Sequence, residues 1–141
     1  MLPTRKRFAA AAFVAAAACS VPVFAQSTLN VICPVQAEWC NSAAVAFEKE
    51  TGIKVGMTLK GSGESFAQIS AEKANPKLDV WFGGTGDPHL QAAELGLLEE
   101  YKSPMLPQLQ PWAQKQAEQS KYHTVGMYLG ALGIGYNTEL L

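Results

Sequence analysis

The sequence predicts an α/β fold with a doubly wound, mostly parallel sheet that is incomplete at its C-terminal end. Three observations predict it. Strand-like and helix-like stretches alternate along residues 29–100, and the connections between them are short. Two of those connections are glycine-rich, at residues 61–65 and 83–87. Short strand-to-helix turns in strict alternation favour parallel strands with helices packed on the sheet faces.

The first element is a compact apolar stretch at residues 29–33, ended by Pro34, which removes a backbone donor. Residues 39–50 then show helical spacing, with Trp39, Ala43, Ala46 and Phe47 on one stripe and Glu48, Lys49 and Glu50 off it. Gly52 stops this helix. At residues 53–59, Ile53, Val55, Met57 and Leu59 alternate with Lys54, Gly56 and Thr58, the period of a strand with unequal faces. A second helix runs through Phe66, Ile69 and Lys73, with Ser65 and Gln68 in capping-box spacing, and is broken at Asn75-Pro76. Residues 78–82 form a third strand, whose Val80, Trp81 and Phe82 suit a short central position. Asp87 is expected to cap the next helix, with Pro88 as its first residue, Leu90 and Ala93 on its apolar stripe and Gly96 as its stop. Three prolines mark residues 103–111 as a surface connection to a helix at 112–119. Residues 124–137 carry four glycines among apolar and aromatic residues and read as extended backbone, in two strands joined by a bend.

The N-terminus belongs to a different class. Arg5, Lys6 and Arg7 precede an alanine-rich apolar run, and Val23-Phe24-Ala25 ends on a small residue, so residues 1–25 read as a secretory signal peptide cut after Ala25. A retained membrane helix and a lipid anchor at Cys19 are the alternatives, and no membrane insertion is expected after cleavage. Loss of those three cationic residues takes the formal net charge from −1 to −4. No basic stripe remains, which speaks against nucleic acid as a partner. A composition of 48% hydrophobic and 16% charged residues suits a globular unit with a core. In an oxidising compartment the remaining pair, Cys33 and Cys40, points to a disulfide, with two buried thiols as the alternative. The six residues between them do not match a Cys-x-x-Cys redox site.

The stretch from Asp79 to His89 organises the rest. Gly83, Gly84 and Gly86 allow a sharp turn or a close approach of a ligand to the backbone, though a plain strand-to-helix turn is also served. In parallel α/β sheets ligands collect at the carboxyl ends of strands, where helix N-termini present free N–H groups. The two glycine turns would lie side by side there, with the hydroxyls of Ser62, Ser65 and Thr85 as further donors. A P-loop is excluded because no Gly-Lys-Ser/Thr follows Gly61, and a third glycine at dinucleotide spacing is missing. A secreted serine hydrolase using Ser62 or Ser65 with His89 or His123 is the enzymatic alternative, but neither serine sits in Gly-x-Ser-x-Gly. Glu38, Glu64, Asp87 and His89 fall near strand ends, and oxygen-plus-imidazole sets hold iron. For each acid, a cap or a solvated side chain is the other reading.

Several runs together carry a family resemblance: Val31-Ile32-Cys33, the stretch 46–55, Gly61-Ser62-Gly63-Glu64, residues 79–84 and Gly135-Tyr136-Asn137. With the leader, they resemble the periplasmic solute-binding proteins of ABC importers. The most similar branch is that of the ferric-iron-binding proteins, with relatives for phosphonates, polyamines and thiamine. The resemblance implies a type II periplasmic-binding-protein lobe at residues 26–124. It also implies a crossing segment at 125–141, leading toward a second lobe that lies outside this sequence. It further implies a periplasmic, monomeric, non-enzymatic carrier without cofactor, which delivers a small solute, ferric iron first, to ABC permease subunits. By the same resemblance Glu38, Ser62, Gly63, Glu64, Gly84 and Thr85 occupy the ligand-contacting loops of the first lobe, with Glu38 and Glu64 as the candidate metal ligands. Ser65 and Asp87 join them as candidate ligand-binding residues from the glycine-turn reading.

Overall fold

The computed structural model describes residues 28–131 and 133–139. The expected signal peptide and Cys19 lie outside the described residues. The elements run β1 (Thr28–Cys33), α1 (Ala37–Thr51), β2 (Lys54–Leu59), α2 (Ser62–Ala71), β3 (Val80–Trp81), α3 (Gly86–Glu94), a single 3-10 turn (Leu106–Gln108) and α4 (Pro111–Gln119). The sheet has the order β2-β1-β3, with both pairings parallel. The expected alternation of strand and helix is therefore present, in a partial parallel sheet.

β1 is the central strand. Val31, Ile32 and Cys33 are almost wholly buried, because both ladder edges of β1 are occupied. β3 takes the edge instead of the expected central position, and it is shorter than residues 78–82. Asp79 explains much of this: its N–H donates to the Asn30 carbonyl, while its carboxylate accepts from the Asn30 N–H at 2.7 Å. A side chain thus takes the place of a ladder bond before the strand begins. Val80 is exposed.

Ring and charge placement on α1 also departs from the helical-stripe reading. Cys40 is the fully buried residue of the helix, and Trp39 stands 53% exposed. The helix begins at Ala37, ahead of the expected start, so Cys40 faces β1 and Trp39 is turned toward the carboxyl edge of the sheet. Glu48, which lies off that stripe, accepts hydrogen bonds from the Val55 N–H at 2.8 Å and from Lys54 Nζ at 3.0 Å. These two bonds, the backbone one foremost, hold its carboxyl below the usual glutamate value and tie the end of α1 to the start of β2. Gly52 closes α1 in the left-handed conformation.

Among the described residues of the 124–137 stretch no strand forms. Val125, Met127, Leu129 and Ile134 are exposed there. Gly126 is the buried exception, pressed against the Trp112 ring of α4, where a side chain would collide. Alternating glycines supply flexible backbone, but a strand needs a neighbour to complete its hydrogen bonds, and none lies beside this segment.

Cys33 and Cys40 are joined as a disulfide, with Cα atoms 6.2 Å apart, linking the last residue of β1 to the first turn of α1. Both are fully buried. Closing so short a loop restricts the unfolded chain by about 2–3 kcal/mol in the chain-entropy account. Replacing both cysteines by alanine is expected to lower unfolding free energy by at least that amount in urea titration. A double variant with an unchanged midpoint would show that the bond contributes nothing.

Candidate functional site

Three strand-to-helix turns meet at the carboxyl edge of the sheet. They are Pro34 to Gln36 after β1, Lys60 and Gly61 after β2, and Phe82 to Thr85 after β3. Their closeness is set by Gly84. Its φ is +100°, and a Cβ there would lie 2.6 Å from Pro34 Cγ and 2.7 Å from Ser62 Oγ. Gly83, at φ +82°, would bring a Cβ to 3.0 Å from Val35 Cγ1. The glycines are therefore required both by backbone conformation and by contact with the two other turns. The Thr85 N–H donates to Ser62 Oγ at 3.2 Å and locks the second turn to the third.

From this corner the first turns of α2 and α3 point outward. Ser62, Gly63 and Glu64 open α2, and their N–H groups precede the first intrahelical acceptor. Gly63 is exposed, with nothing within 4 Å of where a Cβ would be. The Glu64 carboxylate turns back to accept from the Gly61 N–H at 3.0 Å, so Glu64 acts as the helix cap that Ser65 and Gln68 were expected to form. Ser65 is fully buried, and its hydroxyl donates to the Gly61 carbonyl at 2.9 Å. That geometry removes Ser65 from the cleft. At α3, Thr85 occupies the N-cap position expected of Asp87, which lies exposed in the first helical turn. Glu38 is exposed in the first turn of α1. The structure thus brings Ser62, Gly84 and Thr85 into direct contact, leaves Gly63, Glu38 and Asp87 at the rim, and commits Glu64 and Ser65 to their own helix. Among the described residues, no group of three or more His, Cys, Asp or Glu side chains is placed to hold a metal ion.

The corner is buttressed from inside by His89. Its ring stacks on Trp81 with centroids 3.8 Å apart, and Nε2–H donates to the Gly83 carbonyl at 2.9 Å. Burial pushes the imidazole below its ordinary pKa of 6.5, opposed by the Gly83 bond. His123 donates through Nδ1 to the Ser120 carbonyl at 2.9 Å. With Ser65 Oγ on Gly61, Ser62 Oγ on Thr85 and both imidazoles on backbone carbonyls, no serine–histidine pair of a hydrolase is assembled among these residues.

Two residues that the sequence reading did not select complete the site. The Tyr128 hydroxyl accepts from the Gly84 N–H at 3.1 Å and donates to the Gly84 carbonyl at 3.0 Å. Its ring meets Trp39 edge-on, with centroids 5.6 Å apart. Tyr128 lies 44 residues beyond Gly84, and no local spacing signals that contact.

Converging turns, glycine-enforced close approach and free helix N-termini at one sheet edge define an α/β ligand-binding lobe with a polar corner. The chain belongs to the bacterial extracellular solute-binding proteins, whose family model matches residues 29–130. A Haemophilus influenzae protein of uncharacterized function is 41% identical over 117 residues, which cover 83% of this chain and 34% of that protein. The periplasmic binding protein P5PA superposes with a TM-score of 0.63 at 40% identity, over 68% of this chain and 31% of its own. AfuA from Actinobacillus pleuropneumoniae, with exogenous fructose-6-phosphate bound, gives 0.61 at 46% identity, over 63% and 28%. Iron-bound HitA from Pseudomonas aeruginosa gives 0.58 at 29% identity, over 62% and 28%. The chain spans about a third of the length of these relatives.

Gly84→Ala combines an unfavourable φ with overlap against the rigid Pro34 ring, and is expected to destabilise the lobe by about 1–3 kcal/mol. Chemical denaturation measures this; a loss under about 0.5 kcal/mol would mean that the turns move apart freely. His89 generates a second expectation. The depressed imidazole binds fewer protons folded than unfolded, so stability is full above about pH 6.5 and falls as pH drops from there through the folded pKa. Unfolding midpoints between about pH 7.5 and about pH 5 should slope in the wild type and flatten in His89→Phe. Equal slopes would remove His89 as the source.

Proposed function

We propose that this chain forms the first lobe of a two-lobed periplasmic solute-binding protein serving an ABC importer, and that the solute carries a phosphate or similar oxyanion group. The observation that carries this reading is the contact of Ser62, Gly84 and Thr85 at the starts of α2 and α3. Such a corner offers neutral N–H and O–H donors and two helix N-termini, each contributing about 0.3–1 kcal/mol toward an anion when exposed. The similarity to AfuA, whose structure holds fructose-6-phosphate, supports a phosphorylated sugar as the probe of choice.

Ferric iron, the solute that the family resemblance puts first, is the second reading. The likeness to iron-bound HitA and the exposed Glu38 favour it. Against it, the Glu64 carboxylate is already an acceptor for Gly61, so in this lobe the two proposed metal ligands reduce to Glu38. Cationic solutes such as polyamines or thiamine suit a donor-rich corner least, since they need facing carboxylates. Capture by closure of a second lobe, without turnover, is the mode of action that this reading assigns. On this reading the crossing segment at 125–141 leads to that lobe, and the carrier works as a periplasmic monomer delivering to the permease.

The test is ligand-induced stabilisation of the full-length mature protein with fructose-6-phosphate, inorganic phosphate and ferric citrate. The phosphorylated sugar is expected to raise the unfolding free energy by about 2.7 kcal/mol at a hundredfold excess over Kd, with no release of inorganic phosphate. Ser62→Ala should weaken binding roughly tenfold. Saturable binding of ferric ion with none of either phosphate compound would overturn the anion reading in favour of iron.

A further inference from the structure

Tyr128 reaches the glycine corner from the 125–131 segment. It does so with unusual economy: a single hydroxyl occupies both the donor and the acceptor of Gly84. Gly84 is the residue at which the three turns touch, since a Cβ there would meet both Pro34 and Ser62, and its amide is the one that the phenol holds. Cε1 of the same ring would lie 3.8 Å from a Cβ on Gly83, so the phenol reaches both glycines of the bend. Yet Tyr128 is 39% exposed, and Trp39, its edge-on partner, is 53% exposed. Its hydroxyl can therefore move into water without leaving an unsatisfied buried group.

We propose that Tyr128 is a positioning residue that acts as a placeholder: its hydroxyl holds the Gly84 amide while the site is empty, and a solute oxygen replaces it on binding. The inference rests on the reading that solute oxygens are received at the glycine corner. Its chemistry is an exchange of acceptors. Gly84 N–H changes from the phenol oxygen to the solute oxygen, the phenol O–H changes from the Gly84 carbonyl to water, and that exposed carbonyl accepts from water in its place. No covalent bond is made or broken. Because the phenol leaves as the solute arrives, occupancy of the corner is transmitted to the segment that carries Tyr128.

A placeholder competes, so its removal strengthens binding, whereas removal of a direct ligand contact weakens it. Tyr128→Phe keeps the ring against Trp39 and deletes only the hydroxyl. In the full-length mature protein, hydrogen exchange at the Gly84 amide should accelerate in the ligand-free variant. Affinity for fructose-6-phosphate or inorganic phosphate should rise about 3- to 10-fold, the worth of one exchanged hydrogen bond. Unchanged Gly84 exchange shows that the hydroxyl does not hold the amide and overturns the proposal. Equal or weaker binding by Tyr128→Phe, with wild-type binding intact, overturns it as well and leaves the anion reading standing. Failure of wild type and variant alike to bind either phosphate probe overturns the anion reading and the placeholder with it. A conservative second variant, Trp39→Leu, removes the ring support and is expected to give the same direction of change at smaller size; a loss of affinity there counts against the placeholder.

Discussion

The approach of three backbone turns at Gly84 is the constraint on which the rest depends. No side chain other than hydrogen fits between Pro34 Cγ and Ser62 Oγ, and the positive φ of Gly83 and Gly84 sends the chain from β3 into α3 without a longer loop. Because the turns touch, the starts of α2 and α3 converge, and N–H groups from separate elements become neighbours. A single helix N-terminus is a weak and common anion site. Two that share one corner, with Ser62 bridging to the Thr85 amide, form a preorganised set that a ligand need not pull together.

Everything behind the corner serves its placement. Among the described residues β1 is the only strand paired on both sides, and its last residues are almost wholly buried. The Cys33–Cys40 bond fixes the start of α1 to that strand, which sets Trp39 at the rim facing Tyr128. On the third turn, His89 stacked on Trp81 holds the Gly83 carbonyl from within. The same bend is thereby held twice, at the Gly83 carbonyl by a half-buried imidazole and at the Gly84 amide by an exposed phenol.

Much of this is legible in the sequence because it is local. Strand and helix periods, the stop at Gly52 and the clustered glycines of residues 83–86 are written in consecutive residues, and the resulting fold class and family agree with the structure and its relatives. Contacts between distant residues are not. Asp79 looked like the start of a central strand, yet its carboxylate bonds Asn30, 49 residues away, and the strand shrinks to two residues at an edge. Ser65 and Gln68 match a capping box by spacing. So do Gly61 and Glu64, and it is the latter pair that pays no burial cost, since Ser65 is needed inside. Asp87 and Thr85 are both competent caps, and the helix start one residue after Thr85 decides between them. Tyr128 carries no motif at all.

The same distinction bears on what the lobe can hold. Carboxylates that look like metal ligands in a sequence are also the commonest helix caps, and only their geometry separates the roles. Glu64 in the structure bonds the amide just before its own helix, and a cation recruiting it would have to leave Gly61 N–H unpaired. An anion asks for nothing of the kind. At the start of α2 it would meet the N–H groups of the first helical turn, and Glu64 could stay where it is. A donor corner of this sort is still only half a binding site: one open face of N–H groups competes with water for every oxygen it accepts, and each such bond nets only about 0.5–1.5 kcal/mol. High affinity therefore requires a second surface that excludes water from the other side of the solute. On the proposed reading, the segment that carries exposed Val125, Met127 and Leu129 beside Tyr128 is what would join the corner to such a surface.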